Sequence, residues 1–225
     1  MSDVRVYTAQ STVSRAATDG KLVAARGLRD GALVAAPWEL ALVMEGKVFG
    51  ASAGTVTTGI AGHATADADQ PEVAIRLTTD AVVVLPLFLE AGTQSFETTL
   101  GIHGVFYAVS NIDVGNGTST ALTPQNMALY SANATTVTAR HTYSGNGTDP
   151  LTAGNFTELG RAAGNFDSDA ATSGILGLRL VLNAAKDALP LCASTGSIVG
   201  YGEGGTTANF FFNMRWAEFS STEMS

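Results

Sequence analysis

Three histidines, His63, His103 and His141, are the side chains best suited to proton transfer or metal ligation in this 225-residue chain. They stand about forty residues apart, so no pair has the close spacing of a zinc motif, and only the meeting of three separate strands would unite them. Unrelated strand or surface histidines are the simpler reading. Acidic loops offer a second chemistry, because Asp67 with Asp69, Asp113 with Asn116, and Asp167 with Asp169 carry the hard oxygen ligands that calcium prefers. None completes an EF-hand loop, and Asp and Asn also dominate turns through local hydrogen bonding. Nucleophilic catalysis lacks its parts: there is no Gly-x-Ser-x-Gly elbow, no Cys with a nearby His, and no phosphate-cradling glycine loop opening a helix. Gly202, Glu203, Gly204 and Gly205 read as a flexible loop. No pair of carboxylates is singled out for glycoside hydrolysis. The expectation is a protein that is not an enzyme and that needs no cofactor or metal.

Composition narrows the partners. Apolar residues make up 45% of the chain and charged residues 14%, against about 25% charged in an average soluble domain. A surface of Gly, Ala, Ser, Thr and Asn accounts for part of that depletion. Burial against neighbouring copies accounts for more, since desolvating an unpaired charge is costly. The net charge of −8 argues against a surface that holds a nucleic-acid backbone. Six basic residues, Arg26 and Arg29 among them, fall in the first 47 positions, but five acidic ones leave that stretch at only +1. It is not a basic arm. The single Cys192 lies in an apolar setting and excludes an intrachain disulfide. No apolar run approaches the ~18 residues of a membrane span, and Met1 leads into polar sequence rather than a signal core, so synthesis as a soluble cytosolic chain is expected.

The elements that would position any site read as strands. Residues 1–35 are weakly periodic and broken by Gly20, Gly27 and Gly31, which suggests an extended N-terminal arm ahead of a domain over 36–225. Trp38 to Glu45 and Lys47 to Ala51 read as two strands around a turn at Gly46, with β-branched residues continuing from Thr55 to Thr58. Glu72 to Leu77 alternates, with Glu72, Ala74 and Arg76 expected outward and Val73, Ile75 and Leu77 inward. Ala81 to Glu90 is almost wholly apolar, a strand covered on both faces with Pro86 at an edge or bulge. Further strands are expected within Thr98 to Asn111, Thr135 to Tyr143, Ile175 to Leu182, Leu189 to Cys192, Ser197 to Tyr201 and Thr207 to Phe219. Eight to ten strand candidates, no convincing amphipathic helix and connections longer than hairpins predict an all-β, single jelly-roll or Greek-key β-sandwich. Four Asn-x-Thr sequons, at Asn116, Asn133, Asn146 and Asn155, read as turns in the absence of a signal peptide.

The segments Leu33 to Phe49, Leu85 to Glu90 and Met214 to Glu218, with the Ala, Thr and Gly bias, resemble the small β-rich virion proteins of bacterial viruses over about three quarters of the chain. That resemblance implies a jelly roll that forms or decorates a shell, located in the virion, with no catalytic residues. The missing basic arm departs from a genome-contacting coat subunit and favours an outer layer or decoration role. The leading expectation is therefore a self-assembling capsid or capsid-decorating homo-oligomer, with other virion proteins as further partners and no direct nucleic-acid contact. Trp38, Leu85, Leu87, Phe88, Phe211 and Trp216 are the expected subunit contacts, shared with the core, and Arg26 and Arg29 would pair with an acidic neighbour. Two alternatives stand: a glycan- or receptor-binding module using the loops at 113–120 and 144–149, and a β-rich hydrolase.

Overall fold

The computed structural model describes residues 38–55, 57–63, 67–95, 102–110, 118–144, 151, 155–164, 178–204 and 208–223. The expected arm over 1–35, with Arg26 and Arg29, lies outside these residues, as do most of the loops at 113–120 and 144–149. One helix, α1 (Trp38–Met44), leads into β1 (Val48–Ala53), β2 (Ile60–Ala61), β3 (Val73–Arg76), β4 (Val82–Ser95) and β5 (Ile102–Ser110). Then follow β6 (Thr118–Ala121), β7 (Gln125–Asn126), β8 (Thr138–Ser144), β9 (Asn155–Gly164), β10 (Arg179–Asn183), β11 (Ser197–Glu203) and β12 (Asn209–Ser220).

These strands form two antiparallel sheets. The first runs β10-β4-β12-β1-β7, with β2 on β12, and the second runs β6-β8-β3-β11-β5-β9. Within them, β1-β12-β4-β10 faces β3-β11-β5-β9, and the chain passes between sheets at nearly every step. That order is the jelly-roll form of a β-sandwich. β6, β7 and β8 all lie between β5 and β9 in sequence, and widen both sheets at the β1 and β3 side.

Alternation along β12 builds the core. Phe210, Phe212, Met214 and Trp216 point between the sheets, while Phe211, Asn213 and Arg215 point outward. Phe106 meets Phe212 edge-on with ring centroids 6.0 Å apart, and Trp216 tilts over Phe49. This packing needs room opposite the rings. At Gly202 a Cβ would lie 2.7 Å from the Phe210 ring, so only glycine fits there.

The sequence expectations fail at several places for identifiable reasons. Gly202 and Glu203, expected in a flexible loop, end β11, where pairing with Gly104 and His103 of β5 holds them in the sheet. Trp38 to Met44 is a helix, not a strand: Leu, Ala, Met and Glu favour helix, and a short apolar run carries no period to tell the two apart. Thr55 to Thr58 is no strand but a tight turn, closed by the Thr55 amide donating to the Thr58 carbonyl at 2.7 Å. Glu72, Ala74 and Arg76 are buried rather than solvated, because β3 is an interior strand and a further layer covers its outer face. Leu189 to Cys192 contributes only a bridge between Cys192 and Val84. Pro86 meets its expectation, since the β12 register skips Leu87 between Phe88 and Pro86 and makes a bulge.

Candidate assembly surface

The apolar β4 run is covered within the chain. Leu42 of α1 packs on Val48, Leu87 and Ala217, with Leu85 and Phe219 around them, so a seven-residue helix too short to stand alone is held by burial. Six of its seven residues are apolar, Glu39 in the first turn being the exception. Leu40 and Met44 stay bare on the side away from Leu42, and Trp38 is exposed at the start of the helix.

The bare side continues onto the turn after β7. Asn126 donates its side-chain amide to the Gly46 carbonyl at 2.8 Å, and the Met127 amide donates to the Val48 carbonyl. The Ala128 amide donates to the Asn126 Oδ1, and the Ser131 amide to the Ala128 carbonyl, both at 2.8 Å. The Tyr130 hydroxyl donates to the Met44 carbonyl at 2.9 Å, tying the turn to α1. Gly46 makes the junction possible: its φ of 67° is left-handed, and a Cβ would strike the Ser131 side chain. The turn so held presents Leu129 at 92% and Tyr130 at 78% exposure, beside exposed Met127. Alongside, β7 covers only Phe49 and Gly50 of β1.

The expected contact residues are therefore divided. Trp216 is 0% exposed and belongs to the core, and Leu87 is buried beneath α1. Leu85 is partly covered by the same helix. Phe88 and Phe211 lie half-buried on the outer face of the first sheet, Phe88 under the Arg215 guanidinium at 5.3 Å and Phe211 over Gly54. Trp38 alone of the six is exposed, at the start of α1 and one turn before Leu42. Leu40, Met44, Met127, Leu129 and Tyr130 are exposed as well and were not among the expected contacts. An isolated apolar run at 127–130 between Asn126 and Ser131 was their signal.

A second feature lies on the outer face of the other sheet. Ala74, Val105, Tyr107, Val109, Tyr143, Val199 and Tyr201 form a buried cluster there, with Leu151 packed on it. The Tyr201 hydroxyl donates to the Ala68 carbonyl at 2.7 Å, holding the covering segment down. Beside it opens a cleft of about 100 Å³ lined by Tyr107, Tyr201, Leu151, His103, Arg161 and Glu203. Arg161 donates to the Tyr107 hydroxyl at 3.0 Å and pairs with Glu158 at 2.8 Å.

Next to the cleft, Glu72 is 2% exposed. Its Oε2 accepts the Gly202 amide at 2.7 Å, while Oε1 has no hydrogen-bond partner and lies 3.8 Å from the His63 Nε2. Burial pushes this carboxyl up to about 8, against the lowering effect of the Gly202 bond. The shift favours the protonated acid over the carboxylate near neutral pH. The three histidines do not converge: His63 faces Glu72, His103 lines the cleft, and His141 Nδ1 contacts the Thr142 hydroxyl at 2.9 Å. Among the described residues no three His, Cys, Asp or Glu side chains form a metal-binding group. Asn133 spends its side-chain amide on the Glu45 and Gly46 carbonyls and Asn155 opens β9, so neither of these sequons is the turn expected of it, while Asn116 and Asn146 lie outside the described residues.

Fold and surfaces together define the class, an all-β jelly-roll sandwich with an uncovered apolar side. No protein-family model matches the chain, and no curated protein is significantly similar to it. Among the described residues no helix is long and apolar enough to cross a membrane.

Proposed function

We propose that this protein is a structural subunit of a virus shell, forming or decorating a capsid by assembly with copies of itself, without enzymatic activity. One observation carries the reading: α1 and the turn at 127–130 hold six large apolar side chains in water on a rigid frame, with Leu129 almost wholly bare. Apolar surface gathered as at Met44, Met127, Leu129 and Tyr130, where the Tyr130 hydroxyl bonds the Met44 carbonyl, marks an interaction site. The frame matters as much as the area, because a pre-ordered contact spends little further entropy on association. Jelly rolls also build viral capsids, an analogy of fold that supports a role in the virion. The test is the mass of the purified protein by light scattering across concentration and salt, with electron microscopy of any large fraction. Rings, closed shells or a defined oligomer are expected. A monomer at high concentration overturns the reading.

A second reading, a glycan-binding module of an attachment protein, draws on the cleft beside Tyr107 and Tyr201. Its apolar floor and its rim of Arg161, His103 and Glu203 combine the two features of small-ligand sites. Binding on a glycan array that is lost with Arg161→Ala would favour it.

A further inference from the structure

The assembly reading does not say which surface of a neighbouring copy receives Leu129. A depression of about 220 Å³ opens between the end of β5, the start of β9 and residues 190–193, and among the described residues no charged side chain lines it. Val109 and Cys192 are buried in its wall, while Phe156 and Leu191 stand exposed at its mouth beside Pro190. Thus the chain carries an apolar projection and an apolar recess. They lie on opposite lateral sides: the projection beside β1 and β7 at one edge of the first sheet, the recess beside β9 at the far edge of the second. Four strand spacings of about 4.8 Å separate the two edges.

Resting on the assembly reading, we infer that copies join head to tail, with Leu129 and Tyr130 of one copy seated in the Phe156, Pro190 and Leu191 recess of the next. Two arguments select a second copy as occupant. A chain of net charge −8 repels itself, so contact between copies is cheapest where neither surface is charged, and the recess lining meets that condition. A projection on one edge and a recess on the other cannot satisfy each other across a two-fold axis. Such a contact is heterologous and propagates into rings or extended arrays, as a shell requires.

The test uses two variants and their mixture. Leu129→Glu spoils the projection and leaves the recess; Leu191→Glu spoils the recess and leaves the projection. Both positions are exposed, so circular dichroism should match the parent, and Leu129→Ala with Leu191→Ala replace the pair if it does not. Each variant alone is expected at the mass of one chain, and an equimolar mixture at twice that mass, because each pair keeps one intact contact and cannot extend. An assembled parent with Leu191→Glu still assembled overturns the head-to-tail contact and leaves the shell reading standing. Two monomeric variants whose mixture stays monomeric overturn it equally. A monomeric parent removes both.

Discussion

The outer faces of the two sheets handle polar groups in opposite ways. On the first sheet Ser52 donates to Asn213, Asn213 donates to Glu90 at 2.9 Å, and Arg179 donates to Glu90 at 2.7 Å, a row of side chains across four strands in contact with water. Partial burial opposes ionisation of Glu90, but the Arg179 and Asn213 bonds prevail and hold it below the usual carboxylate range. On the second sheet Glu72 is buried with one oxygen bonded and the other bare, and burial prevails instead. The same functional group is a charged strut on one face and a neutral acid on the other. Partners and water, not residue type, decide which.

That contrast can be broken at Glu72 with the largest effect. A folded-state value near 8 lies above the ordinary 4.5, so its contribution is complete below about 4.5 and is lost as pH rises through 8. Denaturant unfolding at fixed protein concentration is expected to lose a few kcal/mol over that span relative to Glu72→Gln, in which this dependence vanishes. Parallel pH curves for parent and variant would show that Glu72 titrates normally. Leu42→Ala comes next, at about 2–3 kcal/mol, because it opens a cavity between α1 and the first sheet. Hydrogen exchange should then rise at Val48 and Ala217 and stay unchanged at Tyr201; equal loss on both faces would mean that α1 does not act locally.

Tyr201→Phe removes the bond to the Ala68 carbonyl while keeping the ring, and about 1 kcal/mol is expected, with faster exchange in the segment at 67–71. Arg179→Ala should be smallest, at most about 0.5 kcal/mol, since its side chain is 69% exposed. Its signature is in the pH dependence. The stability that a lowered Glu90 supplies is present above its unfolded value and lost as pH falls, so the variant should differ from the parent at neutral pH and converge with it in acid. A constant difference across pH would point to lost packing. Thiol chemistry offers a control on overall integrity: burial pushes Cys192 up to about 12, so alkylation at pH 8 should be slow until the protein unfolds.

How much of this was legible in the chain depended on the element. β12 announces itself, since its apolar residues recur every second position from Phe210 to Trp216 and the strand is covered on one face only. β9 does not: Asn155 to Gly164 is rich in small and polar residues, and its pairing with β5 makes it a strand. The projection could be glimpsed as an apolar run among turn residues at 127–130, but its exposure could not. Glu72 looked like an ordinary outward residue of an alternating strand, because the neighbours of its carboxyl, the Gly202 amide and His63, come from other parts of the chain.

The amino-acid sequence by itself determined the all-β class, the strand at β12 and an edge or bulge at Pro86. These follow from period-2 alternation, β-branched content and the missing proline amide, all properties of neighbouring residues. The tertiary structure alone decided the jelly-roll strand order, the helical state of Trp38 to Met44, the proton on Glu72 and the placement of projection and recess on opposite edges. Each of these depends on contacts between residues distant in the chain, whose burial and charge balance no local pattern contains.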